Sequence, residues 1–231
     1  MDLTKKTTMR LINDLSKRYR IKQLLGNWGL FILLSFTIFA LPLLTSFVHN
    51  RLFEVFITLI VVVSSYATSE EDNPKVMIQV FIAIIAIWIT NIANFQVIHY
   101  LSTIWLVVFF LLRVFRFVGQ LSRKENVNGL VIIEAINGYL LIGVGFAVLV
   151  NMVSAEFPGA FNFSQGNSAS HVYDSFYYTF VSMTTLGYGD LLPVTPAAKS
   201  LALMVTLCGQ FYLVIVMALL VGRLLSSADK D

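Results

Sequence analysis

Long apolar stretches dominate this sequence and limit the folds that it can adopt. A helix needs about 20 residues to cross the hydrocarbon core of a bilayer, and six stretches approach or exceed that length. They cover residues 28–48, 52–67, 76–97, 102–121, 129–153 and 197–225. Only 13% of the residues are charged, about half the share found in soluble domains, which excludes a soluble globule. We therefore predict an all-α membrane protein with six transmembrane helices.

The distribution of basic residues predicts which side of the membrane each segment faces. With six spans both termini lie on one side, and that side holds all of the 16 Lys and Arg residues except Arg51 and Lys199. Because basic residues accumulate in cytoplasmic segments, we expect both termini to be cytoplasmic and the protein to lie in the plasma membrane.

The N-terminal segment, residues 1–27, mixes basic and apolar residues at roughly helical spacing. This pattern favours an amphipathic helix on the membrane surface, where it would meet anionic lipid. A solvated basic tail is the alternative. No small-residue cleavage site follows, so we do not expect a cleaved signal peptide.

A half-length apolar stretch and a glycine-rich motif lie between the fifth and sixth predicted spans. The stretch 172–184 is too short to cross a bilayer, and it runs into the motif TTLGYGD at 184–190. Backbone that leaves helical geometry at membrane depth must be buried in protein or line water. Gly187 and Gly189 permit backbone conformations that point successive carbonyls one way. We predict a helix that enters from the outer side and a loop that returns.

This combination of half-helix, TTLGYGD, Pro193 and flanking spans resembles the tetrameric potassium channels with six spans per subunit, which have a voltage-gated-like architecture. The resemblance is strong over residues 156–209 and only architectural in the first four spans. It implies a fourfold homotetramer. Each subunit would comprise an interfacial segment at 1–27, a four-helix sensor-like domain at 28–124, and a pore domain at 125–231 with two spans, a re-entrant pore helix and a filter.

The resemblance also assigns the site. The selectivity filter consists of Thr184, Thr185, Leu186, Gly187, Tyr188, Gly189 and Asp190. Potassium ions would be held by the carbonyls of Thr185, Leu186, Gly187 and Tyr188 and by the Thr185 hydroxyl, which replace the hydration shell of the ion. Leu186 stands where Val is commoner, and its side chain is expected to point away from the ions.

Four further residues are expected to support the filter. Tyr177 and Tyr178 occupy positions of an aromatic cuff behind it, to which Asp190 would bond. Val181 stands where some relatives carry a buried carboxylate. Glu156 is expected to brace the loop after the filter.

The last predicted span should line the inner pore. Gly209 lies nineteen residues after Asp190, where members of the family place a hinge glycine, although close helix packing explains a glycine there equally well. By the same register the cavity-lining residues are Gln210, Leu213, Met217 and Val221. This mostly apolar surface would close the pore by dewetting.

The fourth predicted span is poor in charge for a voltage sensor. It contains only Arg113 and Arg116, both near its inner end, whereas steep gating requires several charges because each contributes about 2.3 kcal/mol per 100 mV. We expect a degenerate sensor with weak or absent voltage dependence. The two arginines are expected to snorkel to the inner interface or to pair with the acidic residues 70–72.

The sequence therefore predicts a potassium-selective channel that conducts passively. The alternatives are a lipid- or ligand-gated potassium channel and a non-conducting modulatory membrane subunit. An enzyme is disfavoured because His49, His99 and His171 have no clustered Cys or carboxylate residues beside them in the sequence. The expected ligands and partners are potassium ions, other copies of the chain and membrane lipid, and no nucleic acid.

Overall fold

The computed structural model describes residues 21–40, 43, 50–68, 74–92, 96–123, 127–163 and 168–228, and its regular structure is helical. The helices are α1 (Ile21–Ala40), α2 (Asn50–Thr68), α3 (Pro74–Ile92), α4 (Gln96–Arg123), α5 (Gly129–Glu156), α6 (Ser168–Met183) and α7 (Pro196–Ala228). Within these residues the extended structure is a single antiparallel bridge between Phe161 and Pro193. The half-length helix α6 lies between two long helices, as the sequence predicts.

Among the residues that the structure describes, four helices are long and apolar enough to cross a membrane. These candidate spans are Ile21–Ala40, Tyr100–Ser122, Gly129–Glu156 and Pro196–Leu225. Helices α2 and α3 have 19 residues each, but their apolar parts, Phe53–Thr68 and Val76–Ile85, are shorter. The helical membrane fold is confirmed, and the count of six crossings stays a prediction.

The first span begins earlier than the sequence predicts. Residues 21–27, assigned above to the interfacial segment, belong to α1. The reason is close packing, because a Cβ at Gly26 would lie 3.2 Å from the Ala67 Cα of α2, and Asn27 is fully buried. Residues 1–20 of the predicted interfacial segment lie outside the described residues.

Helix α5 is the centre of the fold, and three glycines let its neighbours approach closely. A Cβ at Gly143 would lie 2.3 Å from the Phe180 ring of α6, and one at Gly138 would lie 2.1 Å from the Tyr212 hydroxyl of α7. On another face, Gly145 contacts Phe110 of α4. Helices α6, α7 and α4 therefore all pack against one helix of their own chain.

Local sequence explains where the helices around the site begin. The Asn128 side chain accepts a hydrogen bond from the Val131 N–H and caps the N-terminus of α5, as Asn commonly does. Thr195 accepts one from the Ala198 N–H, and Pro196 takes the first position of α7, where its missing N–H has no helical partner to lose.

Candidate functional site

Helix α6 delivers the chain into the TTLGYGD loop and holds the first part of that loop. The Val181 carbonyl accepts from the Leu186 N–H at 3.0 Å and from the Gly187 N–H at 3.3 Å. The Thr185 N–H donates to the Ser182 carbonyl at 3.1 Å. Val181, which was noted above for its lack of a carboxylate, thus contacts the loop through its backbone carbonyl.

The backbone of the loop alternates in handedness. Thr185, Gly187 and Gly189 have φ values of 58°, 56° and 80°, so every second residue is left-handed. Alternation of this kind turns successive peptide groups toward the same side of the chain, whereas in an ordinary strand successive residues face opposite sides. The loop therefore has the geometry needed to present consecutive carbonyls to one ligand.

Thr185 is the strained member of this set. A positive φ is uncommon for a β-branched residue and costs roughly 1–2 kcal/mol. Its hydroxyl donates to the Thr184 carbonyl at 2.7 Å, and its N–H is bonded to Ser182. The surrounding bonds hold a conformation that the residue would not adopt alone.

Residues 184–190 are all exposed in the single chain. Peptide groups at membrane depth cannot remain open to lipid, since each unsatisfied group costs several kcal/mol. The loop must therefore face water or another protein surface. One chain supplies the loop but does not enclose it.

The C-terminal end of the loop is tied to α6 by a tyrosine–carboxylate bond. The Tyr177 hydroxyl donates to Asp190 Oδ2 at 2.8 Å, and this bond lowers the pKa of the Asp190 carboxyl from its ordinary value. Tyr178 is buried and packs on the ring of Phe161 at 5.1 Å. A cavity of about 170 Å³ lies between these tyrosines and the loop.

A backbone brace that sequence reasoning missed holds the segment after the loop. The Asn162 N–H donates to the Leu192 carbonyl at 3.0 Å, and the Val194 N–H donates to the Ala160 carbonyl at 2.8 Å. The Leu192 N–H also donates to the Asn162 side chain. The signal that could have predicted this brace was Pro158-Gly159 after the fifth predicted span, since such dipeptides mark turns.

Glu156 does not take the bracing role predicted for it. Its carboxylate accepts from the Tyr100 hydroxyl of α4 at 2.9 Å, because Glu156 ends α5 on the side that faces α4. The Ala160–Phe163 segment braces the loop instead.

The last helix meets the end of α6 at the predicted hinge. Gly209 is buried, and a Cβ there would lie 3.1 Å from both the Cβ and the carbonyl oxygen of Met183. The Gln210 amide donates to the same carbonyl at 2.9 Å. The structure thus contains the close packing that was the alternative to a hinge, and hinge bending stays a prediction. Leu213, Met217 and Val221 are exposed in the single chain.

Arg113 is placed differently from the prediction. It is fully buried, so snorkelling to the interface is wrong for this residue. Its guanidinium donates to Thr68 Oγ1 and to Gln79 Oε1, each at 3.3 Å, and lies 4.6 Å from the centre of the Phe109 ring. The carbonyl end of α2 favours a cation here. Arg116 is partly exposed, and the acidic residues 70–72 lie outside the described residues.

Comparison with known proteins agrees with this geometry. Residues 156–226 match the model of a family described as "Ion channel". The chain is 36% identical over 87 residues to "Two pore potassium channel c" of Oryza sativa subsp. japonica, a match that covers 38% of this chain and 17% of the relative. It is 34% identical over 96 residues to "A-type voltage-gated potassium channel KCND3" of Homo sapiens, with 40% of this chain and 13% of the relative covered.

A third relative, "Two-pore potassium channel 1" of Arabidopsis thaliana, is 41% identical over 63 residues, which are 27% of this chain and 15% of the relative. The matched part thus spans less than a fifth of each of these relatives. The likeness supports potassium channel function and indicates a channel rather than an enzyme.

Proposed function

We propose that this chain is one subunit of a homotetrameric, potassium-selective channel that conducts passively across the plasma membrane. The observation that carries the proposal is the alternation of left-handed residues at Thr185, Gly187 and Gly189 at the end of a half-length helix. Four such loops around an axis form rings of carbonyls that replace the hydration shell of a potassium ion. The proposed ligands are the carbonyls of residues 185–188 and the Thr185 hydroxyl.

The surfaces that one chain leaves exposed support the proposed tetramer. The loop is exposed along its whole length. In the most apolar part of α7 only 22% of residues are buried, against 72% in α5. Fourfold symmetry would place the loops at a common axis and the exposed face of α7, with Leu213, Met217 and Val221, around the inner cavity.

The remaining architecture belongs to the same proposal. With α2 and α3 as additional crossings each subunit has six spans, and the basic residues then favour cytoplasmic termini. Helices α4 and α5 are separate and antiparallel, since Tyr100 contacts Glu156 while Phe110 contacts Gly145. This packing within one chain supports an arrangement in which each sensor-like domain lies beside its own pore domain.

Weak voltage dependence is part of the proposal. The described part of α4 from residue 97 to residue 112 contains no basic residue except His99, and Arg113 is bonded inside the helix bundle. Arg113 and Arg116 are the Lys or Arg residues of the candidate span Tyr100–Ser122 in α4, so this span would contribute at most two charges per subunit, at about 2.3 kcal/mol per charge per 100 mV. Regulation by anionic lipid at residues 1–20 remains a further proposal.

The test is current from the purified protein in planar bilayers, with potassium on one side and sodium on the other, at voltages between about −100 and +100 mV. We expect a reversal potential near that of potassium and a conductance that changes little with voltage. A reversal near zero would contradict potassium selectivity. A steep, saturating conductance–voltage curve would contradict the degenerate sensor. Persistent absence of current would favour the non-conducting subunit.

A further inference from the structure

A buried polar cluster joins α1 to α5, and the proposed conduction mechanism gives its residues no role. Asn27, Glu134 and Asn137 have no exposed surface. The Asn137 amide donates to the Asn27 backbone carbonyl at 2.9 Å, and the Asn27 amide donates to Glu134 Oε1 at 3.4 Å. Glu134 lies inside a candidate span. Ionisable groups in that environment are costly and are commonly functional.

An adjacent face of the same turn of α5 holds the last helix, α7, because consecutive residues of a helix point about 100° apart. The Tyr212 hydroxyl of α7 donates to the Ala135 carbonyl at 2.7 Å. It fits there because Gly138 has no side chain, since a Cβ at that position would lie 2.1 Å from the hydroxyl. Residues 134 and 137 face α1, and residues 135 and 138 face α7. One helical turn therefore contacts both neighbours.

Helix α1 is itself held on its other side. Gly26 packs against Ala67 of α2, and the Lys22 ammonium lies 4.9 Å from the centre of the Tyr66 ring. A displacement of α1 against α2 would therefore reach Asn137 and, through the shared turn, Tyr212. Tyr212 directly precedes Leu213, which is one of the proposed cavity residues.

We propose that Asn27, Glu134, Asn137 and Tyr212 form a latch that couples the position of α1 to the opening of the inner pore. The inference rests on the proposed channel function. The hydrogen bonds of the latch involve α1, α5 and α7 and none of residues 184–190, so the filter can be intact whether or not the coupling exists. Asn137 and Tyr212 are positioning residues, because they act on the cavity only through the helices that carry them.

The test is a double-mutant cycle on the open–closed equilibrium, measured from single-channel records of the full chain in bilayers. Asn137→Leu removes the bond to α1, and Tyr212→Phe removes the bond to α7 but keeps the ring. We expect each single change to shift the equilibrium by about fivefold or more. The two bonds meet at one turn of α5, so their effects should not be independent. The open–closed equilibrium constant of the double variant should therefore differ from the product of the two single effects by at least about fivefold.

Tyr139→Phe is the matched control, because the Tyr139 hydroxyl has no hydrogen-bond partner and its ring lies 6.0 Å from that of Tyr212. Combined with Asn137→Leu, it should give the product of the single effects within about twofold. A double variant of Asn137 and Tyr212 that is equally additive would overturn the latch. A merely structural role would lower thermal stability without this non-additive shift in opening.

A second readout separates failure of the latch from failure of the proposed function. Val221→Cys in a Cys208→Ser background reports inner-pore opening through its rate of modification by a water-soluble thiol reagent, without any current. Non-additive modification rates in a chain that carries no potassium current would support the latch and overturn the channel proposal. Selective current with additive rates would overturn the latch alone.

Discussion

The proposed pore half of the chain (α5–α7) and the proposed sensor-like half (α1–α4), called the pore half and the sensor-like half below, are built in different ways. In the pore half, backbone groups make the important contacts, such as the Val181 carbonyl with the Leu186 and Gly187 N–H groups. In the sensor-like half, long-range polar contacts come from a few side chains, such as Arg113 and Gln120 at Thr68. Where backbone groups make the contacts, the required backbone conformation restricts the residue types along a whole motif. Side-chain contacts between distant residues leave little pattern in the sequence.

The largest expected effect tests the backbone of the pore half. Gly187→Ala places an L residue at a φ of 56°, which costs roughly 1–2 kcal/mol in each subunit and reorients the carbonyls of the filter. We expect potassium selectivity to be lost, with a reversal potential near zero between potassium and sodium solutions. Gly159→Ala imposes similar strain at a φ of 85° outside the filter, with open space around it, and should keep selectivity. Equal behaviour of the two variants would contradict the special role of the loop.

The next effect compares a glycine from each half. A Cβ at Gly143 would lie 2.3 Å from the Phe180 ring, so Gly143→Ala should destabilise the protein by about 1–3 kcal/mol through overpacking. Gly119 of α4 has nothing within 4 Å of an added Cβ, so Gly119→Ala should stabilise by up to about 1 kcal/mol through helix propensity. Thermal unfolding in detergent measures both. Phe180→Leu should restore part of the loss in Gly143→Ala, and a failure to do so would argue against a clash between these two residues.

A smaller effect is expected at the buried arginine of the sensor-like half. Arg113→Met replaces a buried charge, which is costly to remove from water, by an apolar side chain of similar length. Because the guanidinium is bonded inside the bundle, we expect the slope of the conductance–voltage curve to be unchanged. Arg116→Met, at the partly exposed position, is the matched control. A clear decrease in slope for Arg113→Met alone would show that this charge moves with voltage.

The smallest effect concerns acidity at the outer mouth. The Tyr177 hydroxyl lowers the pKa of Asp190, so the carboxylate keeps its charge to a lower pH than an unbonded one. Tyr177→Phe should return that pKa toward its ordinary value. Loss of conductance in acidic outer solution should then begin at a higher pH, as single-channel current against pH would measure. Asp190→Asn should abolish this part of the acid response, and an unchanged response there would assign it to another group.

The contrast between backbone contacts and side-chain contacts also explains how much of the fold could be predicted from the sequence. Apolar runs located the seven helices of the described residues, since burial in lipid or protein requires continuous hydrophobicity. TTLGYGD located the loop because its glycines permit the positive φ values that the loop adopts. The contacts of Asn27 with Glu134 and Asn137 join residues more than 100 positions apart, and no local period records them. Glu134, a charged residue inside a span, was nevertheless a signal that could have been used. The start of α1 was predicted too late, because Lys22 and the basic residues before it indicated an interfacial segment rather than a buried helix.

The brace between Ala160–Phe163 and Leu192–Val194 has a consequence for biogenesis. The hydrogen bonds described for it lie within one chain, so a newly inserted chain can shape the C-terminal end of its loop before it meets another copy in the proposed tetramer. In the proposed tetramer, assembly would then join loops whose C-terminal ends are already shaped within each chain. Amide exchange on monomers held apart in dilute detergent should therefore already protect the N–H groups of Asn162 and Val194.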